Sequence, residues 1–139
     1  MKHLAIWAGL ALILNLLWEI AQLPLYGLWN DPDPWRIAAY LMHCVFGDVL
    51  IATGFYLSTA LIFRDMRWPM HRPWRGGFVM IISSLIFTAV SEWYNVYRLG
   101  SWSYASAMPL VFGIGLTPLL QWLVAPVLMI VIFQRWIKG

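Results

Sequence analysis

Four stretches of about 20 or more mostly apolar residues, at 4–24, 37–62, 77–96 and 113–136, take up most of a 139-residue chain. A helix needs about that length to cross the hydrocarbon layer of a bilayer. Backbone polar groups in hydrocarbon must find partners within the structure, which favours helices over isolated strands. The expected fold is therefore all-α: a polytopic membrane protein, with one four-transmembrane-helix bundle over 1–139. Charged residues make up 11% of the chain and hydrophobic ones 62%, whereas soluble domains are about 25% charged. Little chain is left for a soluble domain.

Basic residues orient such a bundle, because Lys and Arg near span ends stay on the cytoplasmic side. Lys2, the loop with Arg64, Arg67, Arg72 and Arg75, and the tail with Arg135 and Lys138 hold seven of the nine; Arg36 and Arg98 lie in the other two loops. This asymmetry places both termini and the middle loop in the cytoplasm. It makes the net charge of +3 a topology signal and excludes nucleic acid as the expected partner. The location expected is an integral, multi-pass one, in the plasma (inner) membrane for a bacterial cell. Lys2 precedes an apolar run as in a signal peptide, but no small-residue cleavage site follows and Glu19 interrupts the run, so the first segment reads as a true span.

The only two glutamates, Glu19 and Glu92, fall within spans one and three, and Asp48 within span two. An ionised acid at the centre of a membrane helix costs roughly 2.5–3.5 kcal/mol on insertion scales. Intramembrane carboxylates are thus candidate functional groups by default. Counting inward at 1.5 Å per helical residue puts Glu19 and Glu92 about 7–8 Å deep, His43 about 10 Å, and Asn15, Thr88 and Gln121 about 12–14 Å. Asp48 comes out deeper, at about 18 Å. Residues three or four apart share a helix face, so Asn15, Glu19 and Gln22 form one polar stripe, Ser84, Thr88, Glu92 and Asn95 a second, and Gly113, Thr117 and Gln121 a third. His43 and Asp48 are about 140° apart around span two and address different neighbours. His43 shares its face with Tyr40, Gly47 and Gly54.

A shift of 73 residues aligns Glu19 with Glu92, Gly27 with Gly100, Trp29 with Trp102, Asn15 with Thr88, and Asp48 with Gln121. Few other positions match. The pattern is a weak repeat of helix pairs, related by an axis along the membrane normal.

Of the ten tryptophans, Trp7, Trp68, Trp74, Trp122 and Trp136 read as interfacial or lipid-facing anchors. Trp18 and Trp93 differ, since each neighbours an intramembrane glutamate. The loop 95–112, with Tyr97, Trp102, Tyr104 and Met108 and only one charge, reads as a lid over the polar layer, held by Arg98 pairing with an acid. Asp31 and Asp33, among prolines in the first loop, read as solvated. The lone Cys44 excludes an internal disulfide and reads as a small buried hydrophobe.

Two carboxyls in one apolar site can divide the roles of acid and base, and ring faces stabilise a nearby cation. An acid lined by aromatics therefore suits protonation of an alkene, and the bilayer-dissolved molecules with such alkenes are isoprenoids and sterol-like lipids. Asn15, Trp18 and Glu19, as Asn-x-x-Trp-Glu near the end of a span, resemble a motif of the integral-membrane terpene cyclases, in which the acid serves protonation. The likeness covers five residues, and that family is larger, with more spans. A small bundle bearing acids and a histidine is also similar in outline to membrane sterol isomerases, without a shared motif.

The expected function is an enzyme acting on a membrane lipid or other hydrophobic small molecule, by general acid–base isomerisation or cyclisation. Glu19 and Glu92 are its expected acid and base; His43 relays the proton, and Asp48 holds a partner or water. Asn15, Trp18, Gln22, Tyr40, Thr88, Trp93, Trp102, Tyr104 and Gln121 are the expected substrate-binding residues. The alternatives are a proton- or cation-coupled small transporter that dimerises to make a path, and a non-catalytic subunit of a membrane complex; a homo-oligomer suits the first. With one intramembrane histidine and no paired-ligand spacing, a metal site of Glu19, His43 and Glu92 is disfavoured, as is a haem held by two histidines. No cofactor is expected.

Overall fold

The structure, a computed structural model, describes residues 2–138. Its long helices are α1 (Lys2–Gln22), α2 (Pro34–Phe63), α4 (Pro73–Trp93) and α5 (Leu116–Lys138), with a one-turn helix α3 (Trp68–His71) between α2 and α4. With their helical extensions, all four are long and apolar enough to span a membrane. The expected spans are extended at most ends. Short 3-10 turns continue the chain beyond α1 to Asn30, and a π-helical turn, Tyr94–Leu99, continues α4. The remaining irregularity is a hairpin of two-residue strands, β1 (Leu110–Val111) and β2 (Ile114–Gly115), inside the loop read as a lid.

Local signals explain where the helices begin. Pro34 and Pro73 occupy first-turn positions, where a missing N–H costs nothing. Asp33 caps α2 by accepting the Trp35 amide at 2.9 Å. Arg64, in the left-handed region at φ 51°, ends it.

In the bundle α1 packs on α2 and α5, and α4 packs on the same two helices. Around the bundle the order is α1, α2, α4, α5, so α1 faces α4 across one diagonal and α2 faces α5 across the other. The start of α1, α3 and the end of α5 meet at one end: the rings of His3 and Phe133 are 5.7 Å apart, and Gln134 Nε2 donates to the Pro69 carbonyl at 2.7 Å. Lys2, the arginines around α3, and Arg135 and Lys138 therefore belong to that end.

That end is packed solid. Trp7 lies 5.1 Å from Tyr56, 5.6 Å from Trp68 and 5.8 Å from Phe133, ring to ring. All four rings are fully buried. The indole N–H groups are satisfied by backbone, Trp7 on Ala52 O and Trp68 on Tyr56 O, both at 3.2 Å, and the Tyr56 hydroxyl donates to Met66 O. Gly76 makes room for Trp68, whose ring occupies the place a Cβ would take. The lipid-facing reading is thus corrected for Trp7, Trp68 and Trp122, which are buried, while Trp74 and Trp136 are exposed. Composition signals an amphipathic ring but not whether α3 folds it inward.

Trp68→Ala should cost about 3–5 kcal/mol, as for a large ring removed from a packed core, whereas the exposed Trp74→Ala should stay within about 0.5 kcal/mol. Unfolding by sodium dodecyl sulfate in mixed micelles, followed by circular dichroism, measures both. Equal, small effects would return Trp68 to the lipid.

Candidate functional site

The other half of the bundle is hollow. A cavity of about 400 Å³ lies between the four helices. The three carboxyls of the long helices, Glu19 from α1, Asp48 from α2 and Glu92 from α4, all line it, and all three residues are buried.

Two side-chain amides organise one wall. Trp18 Nε1 donates to Gln22 Oε1 at 3.2 Å; Gln22 Nε2 donates to Glu19 Oε1 at 2.8 Å and, more weakly, to Gln121 Oε1 at 3.5 Å. Gln121 Nε2 then donates to Asn15 Oδ1 at 2.9 Å and to Asp48 Oδ2 at 2.8 Å. Asn15 Nδ2 closes the series on its own helix at Ala11 O, 2.8 Å. Each glutamine accepts through oxygen and donates twice through nitrogen, so both amide orientations are fixed by their partners. Glu19 and Asp48 are thereby linked through the two amides. The residues matched by the 73-residue shift, Asp48 and Gln121, are thus in direct contact across the diagonal.

Glu92 has different company. Its Oε2 accepts the Tyr104 hydroxyl at 2.6 Å and the Trp102 indole N–H at 3.4 Å. Both donors belong to the segment that follows the π-helical turn. That segment is tied down beside the end of α1 by Gly27 N donating to Ser103 O and Ala105 N to Leu25 O, both at 2.9 Å, and by a bridge between Tyr26 and Tyr104. Burial, then the charge of Glu92, pushes the Tyr26 phenol up, and burial with the hydrogen bond to Glu92 does the same for Tyr104. Both stay neutral hydroxyls. Arg98 is exposed and takes part in no ion pair among the described residues, so the expected ionic latch is replaced by a phenol and an indole. Asp31 is paired, with Arg36 at 3.0 Å.

The cavity opens sideways between α2 and α4. Its exposed lining residues, His43 and Leu50 on α2 and Phe87 on α4, all lie along that seam. Tyr40 meets Trp102 edge-on at 5.9 Å near one end of the opening, and Phe55 meets Phe87 at 6.1 Å near the other. From Tyr40 to Phe55 the helix rises about 22 Å. Between them Gly47 leaves the floor open, with nothing within 4 Å of where its Cβ would stand.

Of the expected site residues, Glu19, Glu92, His43, Asp48, Gln22, Tyr40, Thr88, Trp102 and Gln121 line the cavity. Asn15, Trp18 and Tyr104 stand behind it, each bonded to a lining residue. Trp93 does not join them: it is exposed, because the residue after Glu92 is turned 100° away from the carboxylate face. His43 sits at the exposed rim, with no hydrogen bond to an acid, since the same 140° offset that separates it from Asp48 turns it outward when Asp48 faces in.

Asp48, expected deeper, joins the same polar network through Gln121. Tyr26, Cys44, Ser91, Asn95 and Trp122 also line the cavity. Tyr26 continues the stripe of Glu19 and Gln22 beyond Pro24; Cys44 lies one turn before Asp48, and is half-buried rather than core; Ser91 and Asn95 flank Glu92.

Tyr104→Phe removes the shorter of the two hydrogen bonds on Glu92. Opening of the lid should ease by about 1 kcal/mol, seen as roughly fivefold faster hydrogen exchange at the Gly27 and Ala105 amides with little change at Trp7. Unchanged exchange at those amides would mean the backbone ties hold the lid without Glu92.

No protein-family model, curated protein or solved structure matches this chain, so its function is read from this geometry.

Proposed function

We propose that the chain is an integral-membrane enzyme that isomerises or cyclises a bilayer-dissolved lipid or isoprenoid by general acid–base chemistry. The observation that supports this best is the grouping of three carboxyls in one aromatic-lined cavity whose exposed lining residues lie between α2 and α4. A substrate of low water solubility enters from the bilayer without crossing water. Glu19, beside Asp48, delivers a proton to one carbon of an alkene, leaving a cation on the other. The faces of Tyr26, Tyr40, Trp102 and Trp122 attract that cation. Glu92 then removes a proton from a neighbouring carbon, directly or after ring closure. One proton enters and one leaves, so the product has the mass of the substrate; the site resets when Glu92 gives up its proton and Glu19 regains one.

Gln22 and Gln121 act as positioning residues, fixing the carboxyl oxygens they bond and leaving the others to the cavity. The basic residues gathered at the solid end support a cytoplasmic position for that end and for both termini. The site then lies in the non-cytoplasmic half of the membrane, the inner membrane in a bacterial cell.

Transport is the second reading. A path through the bundle would have to cross the four packed rings of Trp7, Tyr56, Trp68 and Phe133, which favours a blind, lipid-facing pocket over a passage.

Lipid extracts of membranes with and without the protein, compared by chromatography and mass spectrometry, should show one species replaced by another of equal mass and different retention. Glu19→Gln and Glu92→Gln should each slow that conversion by about 100-fold or more, the usual range for a lost acid or base. Conversion surviving both substitutions would overturn the assignment. Proton-coupled cation flux in proteoliposomes, with no conversion, would replace it with transport.

A further inference from the structure

The cavity's charge balance is more specific than its shape. Three carboxyls line it, and no Lys or Arg does; His43, at the rim, is the only basic side chain among the lining residues. A phosphate or carboxylate headgroup brought to this place would meet acids without a counter-charge, in a setting where such repulsion is poorly screened. A cation would meet the reverse. Tyr26, Tyr40, Trp102 and Trp122 add aromatic rings to the lining, and ring faces attract ammonium groups, tryptophan most strongly.

A second, independent observation concerns Thr88, which is 7% exposed and lines the cavity one helical turn before Glu92. Its Oγ1 is buried without any hydrogen-bond partner. Three other hydroxyls of these helices return to their own backbone: Thr53 to Val49 O, Ser58 to Gly54 O and Ser84 to Met80 O, at 2.7–2.9 Å. Thr88 makes no such bond. A buried polar group without a partner is uncommon and calls for a ligand or water to complete it. A hydroxyl oxygen beside acids can accept the N–H of a protonated amine.

We infer that the cavity is a binding site for a lipophilic cation, an amphiphile whose protonated amine lies among Glu19, Asp48 and Glu92 with Thr88 beside it and whose hydrocarbon lies along the α2–α4 opening. The inference rests on the proposed reading of the cavity as a lipid-facing site, and it deepens it: a stable ammonium takes the place of the short-lived carbon cation. Lipophilic amines are therefore ligands and inhibitors, whereas prenyl diphosphates and anionic lipids are excluded. The same chemistry would let a lipophilic amine be the natural ligand, and the binding measurement stands in either case.

The test uses the whole chain in nanodiscs of phosphatidylcholine, with empty discs as the partition reference. Binding of radiolabelled N,N-dimethyldodecylamine is measured and then competed with dodecanol and with dodecyl sulfate. The amine should bind saturably, with the alcohol and the sulfate at least about tenfold weaker, the scale of one lost hydrogen bond to a charged group. Glu19→Gln, Asp48→Asn and Glu92→Gln should each weaken the amine by about the same factor.

Gly47→Phe guards against misfolding as an explanation, because its ring enters open space and fills the cavity without meeting protein atoms near its Cβ. It should abolish saturable binding while the protein still elutes as the wild type does. Equal binding of amine, alcohol and sulfate, or full amine binding in Gly47→Phe or in all three acid variants, would overturn the inference. Those outcomes leave the equal-mass lipid conversion to be judged separately, and saturable amine binding without conversion would remove the reaction while the cation site stands.

Discussion

The amide of Gln121 is the interaction on which the polar half of this bundle depends. It is 2% exposed, and it joins α5 to α1 through Asn15 and to α2 through Asp48. In a bilayer, hydrocarbon would give these helices no hydrophobic reason to associate, leaving the work to packing and interhelical hydrogen bonds. At the solid end four rings supply the packing. At the hollow end no ring fills the axis, and the amides of Gln121 and Gln22 take over, spanning α1, α2 and α5 by hydrogen bonds of definite direction. A hollow, polar end is stable only because its groups are almost all paired; Thr88 Oγ1 is the one buried side-chain oxygen or nitrogen left without a partner among the described residues.

Much of this was legible in the chain. Span number follows from four apolar runs, and the stripe of Asn15, Glu19 and Gln22 predicts a face that the fold turns inward. The 140° between His43 and Asp48 was also legible, but which of the two faces inward is decided by Gln121, 73 residues from Asp48 in sequence. Rise per residue sets Asp48 deeper than the other polar groups, whereas its link to them through Gln121 is a property of packing. The tryptophans failed for another reason: Trp68 is held inside by a turn of α3 and by the gap at Gly76, both properties of packing. Arg98 was given a partner on charge alone, whereas Glu92 is satisfied by neutral donors.

The two acids assigned to opposite proton transfers are held by different means, and this asymmetry bears on how one pocket can host both. Glu19 sits in a rigid wall of amides whose orientations are mutually fixed. Glu92 is held by Tyr104 and Trp102, which arrive from a segment that leaves the helix through a π-helical turn. Such turns are rare and are found frequently at functional sites. Six residues of π-helix wind more slowly than an α-helix, so the chain leaving at Gly100, with φ 63°, can fold back over the residue it has just passed. Glu92 is thereby tied to its own downstream chain, and Glu19 to the Gln22–Gln121 amides. On the proposed function, a substrate entering between α2 and α4 would pass under the Tyr40–Trp102 contact, and Trp102 is also a donor to Glu92. Displacing that ring on entry would free Glu92 Oε2 from one donor as the substrate arrives beside it, coupling occupancy of the pocket to the availability of its base.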